Sequence, residues 1–241
     1  MRILVVADIY GELKPLARVL DAAARRRPDL VICPGNFTDM FKPHTEFTQL
    51  DVAEMVVQKL LSLNRPLLCV PGNHDPYEIL DAFDDYDINL HARARELGGL
   101  SFAGFGGAQT PFNTLFEPSE EEARAALEKL SPHPGFILVT HNPPKNTKLD
   151  RIKSGDHVGS QAIRDFLVAK RPALALAAHI HEAAGTDMLG PTLLFNPGPA
   201  FQGHYGMCET GPPASCTTHT APGIRKLPPA GRPEPARGRG G

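Results

Sequence analysis

Pro66-Leu67-Leu68-Cys69-Val70-Pro71-Gly72-Asn73-His74-Asp75 decides the fold: an aliphatic run stops at glycine and then presents Asn, His and Asp in succession. Such a run reads as a buried strand with polar side chains at its carboxyl end. Open α/β sheets bind ligands at that edge. Asn73 offers a neutral carbonyl oxygen, His74 a titratable nitrogen, and Asp75 a carboxylate able to hold the imidazole in one tautomer. A single copy also fits a solvated turn with Asx capping. The weight therefore falls on recurrence.

Strand-like runs also end at Asp8 (after residues 3–7), at Asn36 (after 30–35), at His141 (after 136–140) and at His179 and His181 (after 174–178). Helical patterns separate most of these runs, and right-handed crossovers then place the five ends along one edge of a mostly parallel sheet. Histidines scattered over a surface would not fall this way.

In order and spacing the chain resembles the calcineurin-like metallophosphoesterases over roughly its first 206 residues. The family motifs D-x-H, G-D-x-x-D, G-N-H-D/E, a lone H and G-H-x-H stand here as Asp8-Ile9-Tyr10, Gly35-Asn36-Phe37-Thr38-Asp39, Gly72-Asn73-His74-Asp75, His141 and Ala178-His179-Ile180-His181. The resemblance implies an α/β fold of four layers, two mixed sheets flanked by helices, without a cap domain. It implies metal ligands at Asp8, Asn36, Asn73, His141, His179 and His181, with Tyr10 a doubtful ligand. His74, oriented by Asp75, would protonate the leaving oxygen, and Asp39 would orient ligands from behind.

Tyr10 and Asn36 depart from the pattern. Tyr10 stands where the family has an imidazole on the first metal, and Asn36 where it has the carboxylate that bridges both. A bridging carboxylate screens two cations roughly 3.5–4 Å apart, and hard cations depend on such charge. One tightly held divalent ion (Mn, Fe, Ni, Zn or Mg) is expected. Tyr10 is read as filling the space of the missing imidazole.

Composition fits one domain with a tail. The 241 residues are 41% hydrophobic, enough for one sizeable core, and the net charge of -2 indicates no basic nucleic-acid surface. No apolar stretch has the length of a membrane span, and the opening strand lacks a signal-peptide core, so the cytoplasm is the default expectation. Cys33 and Cys69 read as small core residues, whereas Cys208 and Cys216 fall in a polar stretch with no common zinc spacing.

Helices are expected from about residue 15 to 26, 49 to 63, 79 to 83, 119 to 130 behind a Ser119 capping box, and 160 to 170 behind Ser160. Hairpins are expected at Gly98-Gly99 and Gly190-Pro191. The loops holding His44, Lys145, Lys148, Lys153 and His157 should rim the site, while Tyr77, Phe112 and Phe116 read as packing groups. Residues 1–206 read as the phosphoesterase domain and 207–241, rich in Pro, Gly, Ser, Thr and Arg, as a disordered tail, in which either the family's last strand is lost or the sequence comes from an altered reading frame.

The functional expectation is metal-dependent hydrolysis of a phosphate mono- or diester on a small phosphorylated substrate, by attack of metal-activated hydroxide on phosphorus. The alternative is a degenerate member serving as a protein-interaction scaffold, as in a retromer subunit of this fold with an altered bridging residue. Retention of His74, Asp75, His141, His179 and His181 favours chemistry, because a scaffold has no physical need of them.

Overall fold

The structure is a computed structural model and describes residues 1–224. In chain order the strands are β1 (Arg2–Val5), β2 (Leu30–Cys33), β3 (Leu67–Cys69), β4 (Arg93–Leu97), β5 (Leu100–Phe105), β6 (Ile137–Thr140), β7 (Leu174–Leu176), β8 (Gly185–Leu189), β9 (Thr192–Asn196), β10 (His204–Glu209) and β11 (Ser215–Thr220). The helices are α1 (Leu13–Ala24), α2 (Gln49–Leu61), α3 (Ile79–Asp85), α4 (Glu120–Glu128) and α5 (Gln161–Lys170).

The strands sort into two sheets, ordered β11-β10-β1-β2-β3 and β4-β5-β6-β7-β9-β8. Parallel pairing links β1 to β2 to β3, and β5 to β6 to β7 to β9; the outer hairpin strands are antiparallel. Side-chain alternation explains the continuous apolar runs. In β1, Leu4 faces the helices while Ile3 and Val5 enter the core between the sheets. Helices α1, α2 and α3 cover the first sheet, and α4 and α5 the second, which makes the four expected layers.

Local signals account for most boundaries. Ser119 and Glu122 form the expected capping box of α4, and Ser160 accepts from Ile163 N–H at the start of α5. Thr48 and Asp51 form a further box opening α2. Helix α1 begins two residues before the expected start, without a side-chain cap, and holds Pro15 in its first turn, where a missing N–H is harmless. Both expected hairpins form, turning at Gly98-Gly99 and Gly190-Pro191.

The stretch after Gly206 differs from expectation. Strand β10 pairs antiparallel with β1, from Arg2 opposite Glu209 to Val5 opposite Gly206, so the last family strand is present. Strand β11 then pairs with β10, and Cys208 and Cys216, opposite one another, are joined in a disulfide. The polar composition of β11 misled the sequence reading. Its residues sit on a sheet edge, where ladder hydrogen bonds and the cross-link replace apolar burial. The part of the expected tail beyond residue 224 lies outside the described residues. Cys33 and Cys69 are buried free thiols, as expected.

Candidate active site

The loops after β1, β2, β3, β6 and β7 converge at one end of the sandwich, so strand ends from both sheets build the site. The approach of the β2 and β3 loops requires glycine. A Cβ on Gly72 would lie 2.2 Å from Asn36 N and Oδ1, and Gly35 has φ +98°. Asp8, Tyr10, Asn36 and His179 all hold left-handed backbone, with φ of 54°, 55°, 60° and 67°. Each such non-glycine position costs on the order of 1–3 kcal/mol, a strain that the surrounding loops hold in place.

Asn36 sits at the centre. Its Oδ1 accepts the His74 backbone N–H at 3.0 Å, which orients the amide. Its Nδ2 then donates to Asp8 Oδ1 at 3.0 Å, Tyr10 Oη at 2.9 Å and, more weakly, Asn73 Oδ1 at 3.4 Å. A proton-bearing group thus fills the place of a bridging carboxylate. Burial, with Asp8 and Asp39 nearby, pushes Tyr10 well above an ordinary phenol. Tyr10 is therefore a neutral hydroxyl and lies 3.3 Å from His181 Nε2. Burial pushes Asp8 upward, but His181, His141 and His179 outweigh it and hold the carboxylate at about 2.

His141 and Asn73 meet differently. His141 Nδ1 lies 2.7 Å from the Pro34 carbonyl, an acceptor only, so Nδ1 carries the proton. Burial lowers His141 to about 4, leaving a neutral ring. Its bare Nε2 lies 3.0 Å from Asn73 Oδ1. Two lone pairs face each other. His179 stands edge-on to His141 with ring centroids 5.0 Å apart, and burial drives it well below its usual value.

His74 stands between Tyr10 and Phe41, each ring edge-on at centroid distances of 5.0 and 5.1 Å. Its expected partner, Asp75, points elsewhere. Asp75 is fully buried and accepts from the backbone N–H groups of Asn36, Thr38 and Gly72 and from the Thr38 hydroxyl. It ties the β2 and β3 loops together. The carboxylate beside His74 is Asp39, with Oδ1 3.4 Å from Nδ1. Burial tends to raise Asp39, but the neighbouring His74 ring and the bond from Phe41 N–H hold it below the usual carboxylate range.

The Asn196-Pro197-Gly198 segment braces the site: Asn196 Nδ2 donates to the Ile180 carbonyl, and Phe201 packs edge-on against Tyr10 and His181. Among the rim candidates, Lys148 pairs with Asp187 at 3.7 Å and His157 with buried Asp150 at 2.6 Å. Asp150 also takes the N–H groups of Asn146, Thr147 and Gly159, so it organises that loop. Tyr77 stacks on Phe116 at 4.1 Å. The sequence reading missed Thr114 and Glu117, which lock onto Asn73; only their T-x-x-E spacing hinted at a local bond.

Two features test the fit of a divalent cation. Facing acceptors on His141 and Asn73 leave a place that a cation stabilises, and Asp8 Oδ2 is buried without a hydrogen-bond partner. Among the described residues no three His, Cys, Asp or Glu side chains are grouped to hold an ion, so an amide oxygen is needed. One ion on Asn73, His141 and His179 fits this chemistry. At Asp8, Tyr10 and His181 the Asn36 NH2 group already occupies Asp8 Oδ1 and Tyr10 Oη, leaving Asp8 Oδ2 as the one oxygen of that pair without a donor.

A family model for calcineurin-like phosphoesterases matches residues 1–183, and the chain belongs to that family. It is 32% identical over 205 residues to the uncharacterized protein MJ1162 of Methanocaldococcus jannaschii, covering 83% of this chain and 88% of that one. The crystal structure of TT1561 of Thermus thermophilus superposes with a TM-score of 0.69 at 20% identity, over 91% of this chain and 98% of that one. A dimetal phosphatase from Danio rerio superposes at 0.58 with 11% identity, over 92% and 99%. Family members use divalent metals. Among the described residues no helix is long and apolar enough to cross a membrane.

Proposed function

We propose that this protein hydrolyses phosphate mono- or diesters with one tightly held divalent cation. The observation that carries the reading is His74, an imidazole backed by Asp39 at 3.4 Å and set beside a cluster of converging acceptors. Asn73, His141 and His179 would hold the ion. The chemistry it supplies when bound is acidification of a water toward a pKa of about 7 and neutralisation of phosphoryl charge. Asp39, 3.4 Å from Nδ1, would orient the His74 ring so that Nε2 faces the departing oxygen, as a general acid requires. Tyr10 and Phe41 confine that ring from both sides.

Purified protein assayed with an aryl phosphate monoester and diester, with Mn²⁺, Ni²⁺ or Fe added, should show turnover that chelation abolishes. No turnover of either ester with any of these metals would remove the reading. Asn36 favours a second reading, a degenerate scaffold, because its NH2 group fills the bridging position. Metal uptake without any esterase activity would support that alternative.

A further inference from the structure

Asn73 meets the cluster with an amide whose two ends have opposite consequences: the oxygen can hold a cation, and the NH2 group would repel one. Asn73 Oδ1 lies 3.0 Å from His141 Nε2 and takes a long 3.4 Å contact from Asn36 Nδ2, so the orientation of the amide decides whether an oxygen or an NH2 group faces the histidine. A chain of bonds outside the cluster fixes that orientation. Glu117 Oε1 accepts from the Thr110 hydroxyl at 2.6 Å, from Thr114 N–H at 2.7 Å and from the Thr114 hydroxyl. The Thr114 hydroxyl has one proton and has given it to a carboxylate. It can only accept from Asn73, and Asn73 Nδ2 donates to it at 3.0 Å. The Asn73 carbonyl, in turn, accepts Leu115 and Phe116 N–H at 2.9 and 3.0 Å, which clamps the same loop against the Asn73 backbone.

We infer that Thr114 and Glu117 are positioning residues that lock the Asn73 amide with its oxygen toward His141, and so keep the site ready for a cation. The inference rests on the metal-dependent reading above. Burial tends to raise Glu117, but its bonds to Thr110 and Thr114 outweigh that and keep it ionised, as the relay requires. Partners of this kind behind a ligand are worth 10–100-fold in metal affinity.

Two measurements on the full chain test the relay. In metal-free protein carrying ¹⁵N-histidine, the His141 Nε2 resonance should coincide in wild type and Thr114→Ser. In Glu117→Ala and Thr114→Val it should move, as the released Asn73 amide turns its NH2 group toward it. In Mn²⁺ titrations by calorimetry those two variants should bind about 10–100-fold more weakly, with Thr114→Ser close to wild type. The Ser and Val pair guards against a folding artefact, since both stay close to the side chain's size and differ in the hydroxyl. An unchanged His141 resonance, or unchanged Mn²⁺ affinity in both variants, would overturn the relay. If wild type takes up no Mn²⁺, the metal-dependent reading fails, and the resonance alone decides the relay: a shift supports it, no shift overturns it.

Discussion

Asp39 Oδ1 lies 3.4 Å from His74 Nδ1, and the same carboxylate oxygen accepts Phe41 N–H at 2.9 Å. Position in the chain favoured Asp75 for this role, but Asp75 turns away to join two loops. His74→Ala should lower turnover by roughly 10²–10⁴, and less so for esters with acidic leaving groups, which need little protonation. Asp39→Asn should lower it by a smaller factor, about 10–100, with metal content unchanged. A leaving-group series decides: equal losses across the series remove the general-acid role.

Tyr10→His with Asn36→Asp should raise bound metal from at most one ion per chain to two, because the pair restores an imidazole and replaces the Asn36 NH2 donors with a bridging charge. Elemental analysis after dialysis reads the stoichiometry. The two changes touch through the 2.9 Å bond between their side chains, so their effects should not add. Two equivalents already bound to wild type would overturn the one-ion assignment.

Gly72→Ala should destabilise the fold by about 1–3 kcal/mol, because its Cβ would lie 2.2 Å from the Asn36 backbone and side chain. Urea unfolding should show a lower midpoint with an unchanged slope. Gly99→Ala meets nothing within 4 Å but sits at φ +77°, so it separates backbone strain from collision.

His91 is mostly buried, and burial first, then Arg93, lowers it to about 4 from 6.5; its Nδ1 accepts Gly106 N–H at 2.9 Å. Because the folded value is depressed, the unfolded chain takes up the proton first. The contribution is therefore full above about pH 6.5, falls as the pH drops toward 4, and levels below that. The loss is at most about 3 kcal/mol. His141, also lowered to about 4, steepens the same limb. His91→Gln should flatten the acid limb of stability against pH, and an unchanged limb would refute the assignment.

Reduction of the Cys208–Cys216 disulfide should lower stability by about 2 kcal/mol, the entropy of closing so short a loop. Denaturant midpoints with and without dithiothreitol, compared with Cys208→Ser/Cys216→Ser, measure it. Equal midpoints would show that the strand ladder alone holds β11.

Strand runs ending in Asp8, Asn36, Asn73, His141 and His179 were legible in the sequence, because buried parallel strands must be continuously apolar and the polar residue ending each run is local information. The helices followed from their periodicity and capping residues, and the four layers from the resemblance to the family. Contacts between residues far apart in the chain carried the rest. Which carboxylate backs His74, which end of the Asn73 amide faces His141, and whether Asn36 offers an oxygen or an NH2 group depend on loops from several strands meeting at once. Strand β11 was hidden for a related reason: its Ser, Thr and His residues acquire a β-ladder only because β10 and the Cys208–Cys216 link hold them in register, a stabilisation no local composition reports.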